Sequence, residues 1–236
     1  MDRPVGPPRA LPLTPAGDLA RLLAGPVVEA ARGLLGTLLV REREGARRAG
    51  RIVEVEAYAG PDDRASHARF GAASRAATMF GPPGRAYVYG VYGMHVCLNV
   101  VAGPSGHGAA ILLRGVEPLE GIAWMRASRL VRGVASRRAA ADDPSAEAAR
   151  IARLSVARLA AGPANLAAAF DVERSDDGVD LLDPAGGLRL EAGRADERPR
   201  EIVAATRIGV AYAGPGWADR PWRFVMAGTP IAGART

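Results

Sequence analysis

The sequence predicts an α+β fold built on a largely antiparallel sheet. Three observations carry this prediction. Segments with helical spacing and segments with strand spacing come in blocks: helices, strands, helices, strands. No strand–helix–strand alternation of the kind that builds a parallel sheet is present. No stretch in the middle of the 236 residues has the composition of a linker, so one domain is expected, from 17 to 236.

Residues 1–16 are rich in Pro and Gly and read as a disordered arm. Asp18 is placed to cap a short helix, Leu19 to Ala24. Gly25-Pro26 interrupts it, and Pro26 opens a second helix, Val27 to Leu35, which Gly36 ends. Thr37 to Val40 begins a strand. Arg41 to Gly50 reads as a charged hairpin connection into a second strand, Ile52 to Tyr58, closed by Pro61-Asp-Asp63. Residues 62–86 lack periodicity, and a loop of this length in a compact domain is usually functional or disordered. Tyr87–Val101 has strand composition, interrupted by Gly90 and Gly93, which mark a bulge or turn with Tyr92 and Met94 at or near a protruding tip.

Ala109–Val116 reads as a buried strand, and Pro118 as the start of a helix reaching about Val131. Arg132–Pro144 is a polar connection. Ala146–Ala161 has an apolar side of Ile151, Leu154 and Leu159 at helical spacing. Gly162-Pro163 stops it, and Asn165–Phe170 is a short helix. Asp176-Asp-Gly178 and Pro184-Ala-Gly-Gly187 bracket short strands, and Val203–Val210 and Trp222–Met226 are the last two.

Composition narrows the function. The net charge is +6 and the pI about 10.3, which favours a polyanionic partner, most often nucleic acid. The same balance also fits a basic protein with no such partner. All 31 basic residues are Arg, so no lysine side chain can form a Schiff base. The single Cys97 excludes an internal disulfide, and three His with one Cys give no recognisable metal spacing. No apolar run approaches the ~20 residues of a membrane span, and the N-terminus has no apolar signal core. These features predict a cytosolic protein with no membrane partner.

The chemistry concentrates between Arg51 and Arg114. In the strand Ile52–Tyr58, the period of two puts Glu54, Glu56 and Tyr58 on one face and Val53, Val55 and Ala57 on the core face. A lone strand glutamate is more often a surface residue in a salt bridge. Here His67, Tyr87, Tyr89 and Tyr92 follow closely in sequence, and an electron-rich aromatic pocket suits a flat or cationic ligand such as an alkylated base. His67 taken alone reads as a loop histidine. Gly81-Pro-Pro-Gly84 lacks the Lys and Ser/Thr of a phosphate loop, which sets nucleotide binding aside.

Several motifs then line up in order. Arg51-Ile-Val-Glu-Val-Glu-Ala-Tyr58, Met79-Phe-Gly-Pro-Pro-Gly84, Tyr87-Val-Tyr89, Tyr92-Gly-Met94, Cys97-Leu-Asn99 and Leu112-Leu-Arg-Gly-Val-Glu-Pro-Leu-Glu-Gly121 closely resemble the alkyladenine (3-methyladenine) DNA glycosylase family. Gly162-Pro163, Thr206-Arg-Ile-Gly209 and Pro221-Trp-Arg-Phe224 resemble its later motifs, so the likeness spans about residues 20–233. It implies a compact domain with a curved sheet, surrounding helices, a protruding hairpin and no helix-hairpin-helix. It implies a monomer in the cytoplasm at the nucleoid, acting without cofactor or metal on double-stranded DNA that contains damaged purines. It further implies that Glu56 activates water, held with the help of Arg114 and the backbone carbonyl of Ile208. Tyr58, His67 and Tyr89 would sandwich the flipped base, and Asn99 would disfavour guanine. Tyr92, with Met94 beside it, would fill the vacated stack. His95 differs from the aromatic residue many members have, and Asn165 from a phosphate-contacting Lys in some. A non-catalytic binder of damaged or structured nucleic acid is the competing expectation.

Overall fold

A computed structural model of the chain describes residues 16–91, 95–135, 144–193 and 201–229. Eight strands form one antiparallel sheet: β1 (Leu38–Arg43), β2 (Ala46–Ala59), β3 (Ala86–Val91), β4 (His95–Ala102), β5 (Ala109–Glu120), β6 (Leu188–Glu191), β7 (Ile202–Ala205) and β8 (Arg223–Met226). The order is β3-β4-β5-β2-β1-β6, with β8 pairing both β2 and β7. The helices are α1 (Ala16–Ala24), α2 (Val27–Leu34), α3 (Ile122–Ala135), α4 (Pro144–Ala152) and α5 (Pro163–Ala169). Among the described residues no helix is long and apolar enough to cross a membrane.

The 14-residue β2 is the spine. Its first half pairs with β1, its second half with β8, and β5 runs along its other edge. Alternation along the strands separates two faces. Val53, Val55, Ala57, Val88, Leu98, Val100, Ile111 and Leu113 point into one core with Leu23, Leu34, Leu166 and Phe170 from the helices. The intervening residues face the other way.

Two compensating bulges keep this phase. Ile52 pairs with Val116, Glu54 with Gly115 and Val55 with Leu113, so Val53 is the extra residue on β2 and Arg114 the extra residue on β5. Ile52 and Val53 therefore both reach the core. Arg114 stays on the same face as Glu54 and Glu56.

Several elements differ from expectation. α1 begins at Ala16, which puts Asp18 inside its first turn. The charged segment 41–50 is strand on both sides of a two-residue turn, Glu44-Gly45, with φ of 53° and 75°, as a tight hairpin requires. Its charges pair across strands, Arg47 with Glu42, Glu120 and Glu191. Pro118 lies in β5, not at a helix start. It opposes Gly50 beside a bulge, where β4 no longer pairs with β5, so its missing N–H costs no ladder bond there. Gly121, at φ 75°, turns the chain before α3.

The expected helix 146–161 stops at Ala152. Arg126 of α3 donates to the carbonyls of Ile151, Ala152 and Leu154, and Ser155 is extended. Leu159 is still fully buried. α5 begins at Pro163, with Gly162 before it at φ 92°. No strand runs between Gly178 and Pro184, where Asp180 makes only an isolated bridge to Arg85; β6 follows Gly187. β7 ends at Ala205, because the next residues turn to side chains at the site described below.

Candidate active site

The face of the sheet turned away from the helices borders a cavity of about 410 Å³. Alternate strand positions supply its floor: Tyr87, Tyr89 and Val91 of β3, Cys97 and Asn99 of β4, and Ala110, Leu112 and Arg114 of β5. Tyr58 of β2 joins them. The loop 62–86 forms a wall through Ala65, His67 and Met79, and the segment 208–212 closes another through Ile208, Gly209, Val210 and Tyr212.

Glu56 lies directly behind Tyr58, Arg114 and Ile208 and is fully buried. The Tyr58 hydroxyl donates to its Oε2 at 2.8 Å, and the Ile208 N–H donates to its Oε1 at 2.8 Å. Arg114 Nη1 stands 3.3 Å from Oε1, while Arg114 Nε donates to Glu54 at 3.1 Å. Arg223 holds the same oxygen of Glu54 at 3.2 Å. Burial pushes the Glu56 carboxyl up, against the opposing pull of Arg114, the Ile208 N–H and the Tyr58 hydroxyl. Burial and the Glu56 charge raise the Tyr58 phenol well above its ordinary value, so it stays a donor. The result is a fixed carboxylate of raised basicity at the edge of an aromatic cavity.

His67 and the tyrosines form a linked cluster. His67 Nδ1 is 2.9 Å from the Tyr87 hydroxyl, and its ring stands edge-on to Tyr89 at 4.5 Å. Burial lowers the His67 pKa, helped by the charges of Arg75 and Arg69, so the ring is neutral at neutral pH. Burial pushes Tyr87 up to about 12. The Asn99 amide donates to the Tyr87 carbonyl at 2.9 Å, which fixes its orientation on the floor. Among the described residues no group of three His, Cys, Asp or Glu could hold a metal ion.

Glu56, Tyr58, His67, Tyr89, Asn99, Arg114 and Ile208 thus meet at one place, although they span more than 150 positions. Ile208 enters through its N–H. Tyr92 and Met94 lie outside the described residues. His95 is exposed at the start of β4, and Asn165 is exposed and donates to the Ala161 carbonyl.

Comparison with known proteins now bears on this arrangement. The profile of methylpurine-DNA glycosylase (MPG) matches residues 21–230. The chain belongs to the methylpurine-DNA glycosylase family. It is 45% identical over 201 residues to a protein of Anaeromyxobacter dehalogenans named for 3-methyladenine DNA glycosylase, covering 84% of this chain and 78% of that one. It is 40% identical over 234 residues to the DNA-3-methyladenine glycosylase of Homo sapiens, covering 95% and 72%. The chain is therefore a DNA N-glycosylase, a hydrolase of alkylated-base repair, and the non-catalytic alternative falls.

The structure adds residues to this glycosylase site that sequence reasoning missed. Arg207 and Asp63 form a fully buried ion pair that ties Ile208 to the wall of the cavity. Cys97 stands opposite Tyr89 across the β3–β4 hairpin. Tyr212 lines the cavity with its hydroxyl on the Ala65 carbonyl at 2.9 Å. Asp63 and Arg207 are 144 positions apart, so no spacing rule connects them. The only signal was the placement of Arg207 inside the motif Thr206-Arg-Ile-Gly209.

Proposed function

We propose that this glycosylase draws an alkylated purine out of duplex DNA into the aromatic cavity and hydrolyses its N-glycosidic bond with a water deprotonated by Glu56. The observation that carries this reading is a fully buried carboxylate of raised basicity, oriented by Tyr58, Arg114 and Ile208 beside the cavity. Cleavage of a deoxyribose–purine bond passes through an oxocarbenium-like state. A nearby carboxylate both stabilises that charge and takes the proton of the attacking water. A purine alkylated at N3 or N7 is already cationic and leaves with little acid help. Tyr58, His67 and Tyr89 would stack on the base, and neutral His67 adds no charge to repel a cationic one. Asn99, on the floor, would meet the purine edge and disfavour a 2-amino group. Extrusion costs a few kcal/mol, least for damaged pairs, and a wedge such as Tyr92 would offset part of it. Incubation with methylated duplex DNA should release free methylated base.

The pH dependence follows from the direction of the Glu56 shift. The base form is the ionised one, and burial raises the pH at which it appears. Base release should therefore fall on acidification, with its acid limb above the range of an ordinary exposed carboxylate. A rate–pH profile under single-turnover conditions measures this. A limb at the ordinary carboxylate value would place the base elsewhere.

The product is also specified. A chain without lysine has no side-chain amine to attack the sugar, and a carboxylate-activated water leaves the strand intact with an abasic site. Strand scission should appear only after alkali or heat. Borohydride added during the reaction should trap no protein–DNA adduct. A robust adduct would replace the water mechanism with attack by the N-terminal amine.

A further inference from the structure

The loop wall beside the cavity carries a feature that the glycosylase chemistry does not use. Arg69 and Phe70 are the last two residues of the short 3-10 turn His67–Phe70. The Arg69 guanidinium lies 4.6 Å over the Phe70 ring and 5.2 Å over the Tyr212 ring. Both rings are more than half exposed, Phe70 at 59% and Tyr212 at 60%. Neither is core packing. The Arg69 Nη1 group is anchored on the Arg64 carbonyl at 2.6 Å, and Tyr212 on the Ala65 carbonyl at 2.9 Å. The guanidinium is therefore held in place over the two rings, at the surface.

No carboxylate among the described residues pairs with Arg69, whereas Arg41, Arg47, Arg114, Arg189 and Arg207 all have one. Arg69 is nevertheless close enough to the pocket for its charge, with that of Arg75, to act on His67. Its partner ring, Tyr212, is itself a wall of the cavity. A cation with no carboxylate partner among the described residues thus sits at the surface against Tyr212, a residue of the cavity wall.

We propose that Arg69, clamped between Phe70 and Tyr212, binds a backbone phosphate of the DNA strand next to the nucleotide that enters the cavity. The proposal rests on the glycosylase reading above, because a flipped nucleotide keeps its phosphates at the mouth. A planar guanidinium presents a fork of donors that matches a phosphate, and stacking on rings removes much of the ordering cost. The exposed ring faces give the adjoining sugar an apolar surface. A phosphate contact carries no base identity, so it positions the strand and does not select the lesion.

The test measures binding to a methylated duplex, the substrate of the release assay above, and to the same duplex undamaged. Both are titrated in the Glu56→Gln background, which leaves the substrate intact, at several salt concentrations. Arg69→Ala should weaken both duplexes about tenfold, the effect of losing one charge-assisted hydrogen-bonded contact. It should also lower the slope of log affinity against log salt by about 0.9, the release from one phosphate. Arg69→Lys should keep the slope and recover only part of the affinity, because an ammonium does not stack as a guanidinium does. Unchanged affinity and slope in Arg69→Ala would overturn the assignment and make the stack surface packing only. A loss confined to the damaged duplex would also overturn it and move Arg69 to the base. If Arg69→Ala has no effect while the wild-type protein still releases base, only this assignment falls. If the wild-type protein releases no base from methylated duplex, the glycosylase reading falls with it.

Discussion

Glu56→Gln is expected to lower the rate of base release by several orders of magnitude while lesion DNA is still bound. Loss of a general base alone is worth about 10²–10⁴ in rate. The loss of the negative charge beside an oxocarbenium-like state adds to that. The substitution is close to isosteric, and its hydrogen bonds can be rebuilt. The amide oxygen can still accept from the Ile208 N–H and face Arg114. The amide nitrogen can donate to the Tyr58 oxygen, reversing the bond that Tyr58 now donates. Arg114 keeps Glu54 as a counter-charge. The fold should therefore persist, and the defect should lie in chemistry. Single-turnover release of methylated base, set beside a binding isotherm on the same duplex, separates the two. Near-normal turnover would move the role to Glu54 or elsewhere.

The second large effect is on stability. Asp63→Ala should cost about 3–5 kcal/mol, the loss typical of breaking a buried ion pair from one side. Arg207 and Asp63 are both fully buried, and each Asp63 oxygen accepts from the guanidinium. The arginine also donates to the Ala57 and Trp217 carbonyls at 3.0 Å. Its flat face lies 4.8 Å from the Tyr58 ring and 5.1 Å from Trp222. Asp63 in turn accepts from the N–H groups of Ala59 and Ala65. Removing the carboxylate strands a buried cation and two backbone donors together. Denaturant unfolding should show the loss, and the melting temperature should fall by about 6–20 °C. A cost below about 1 kcal/mol would show that the pair does not brace this corner. The corner matters to the site because Tyr58 and Ile208, which orient Glu56, are neighbours of the residues it joins.

Local rules reached some of this molecule. Period-two spacing put Glu54, Glu56 and Tyr58 on one face of β2, and the structure has them there, with Val55 and Ala57 buried behind. Block order read as α+β, and the sheet is antiparallel throughout its described pairings. The strand ends were harder. Pro118 reads as a helix opener because proline lacks the donor that a ladder needs. It lies in β5 because the neighbouring strand has already ended there. The helix that seemed to run to Ala161 ends at Ala152 because an arginine from α3 takes its last carbonyls.

What the sequence determined by itself is what depends on neighbours a few positions apart or on composition. The face shared by Glu54, Glu56 and Tyr58 and the absence of any lysine amine both belong here. Family membership was legible too, through motifs kept in order along the chain. The family motifs implied that Arg114 and Ile208 stand near Glu56, but only the tertiary structure decided how such distant groups meet. Arg114 faces Glu56 because two bulges cancel across the β2–β5 pair. Arg207 finds Asp63, 144 positions away, and Ile208 gives Glu56 its N–H instead of extending a strand. Such pairings are set by burial: a charge or an N–H taken out of water must find its partner wherever the packed core places one.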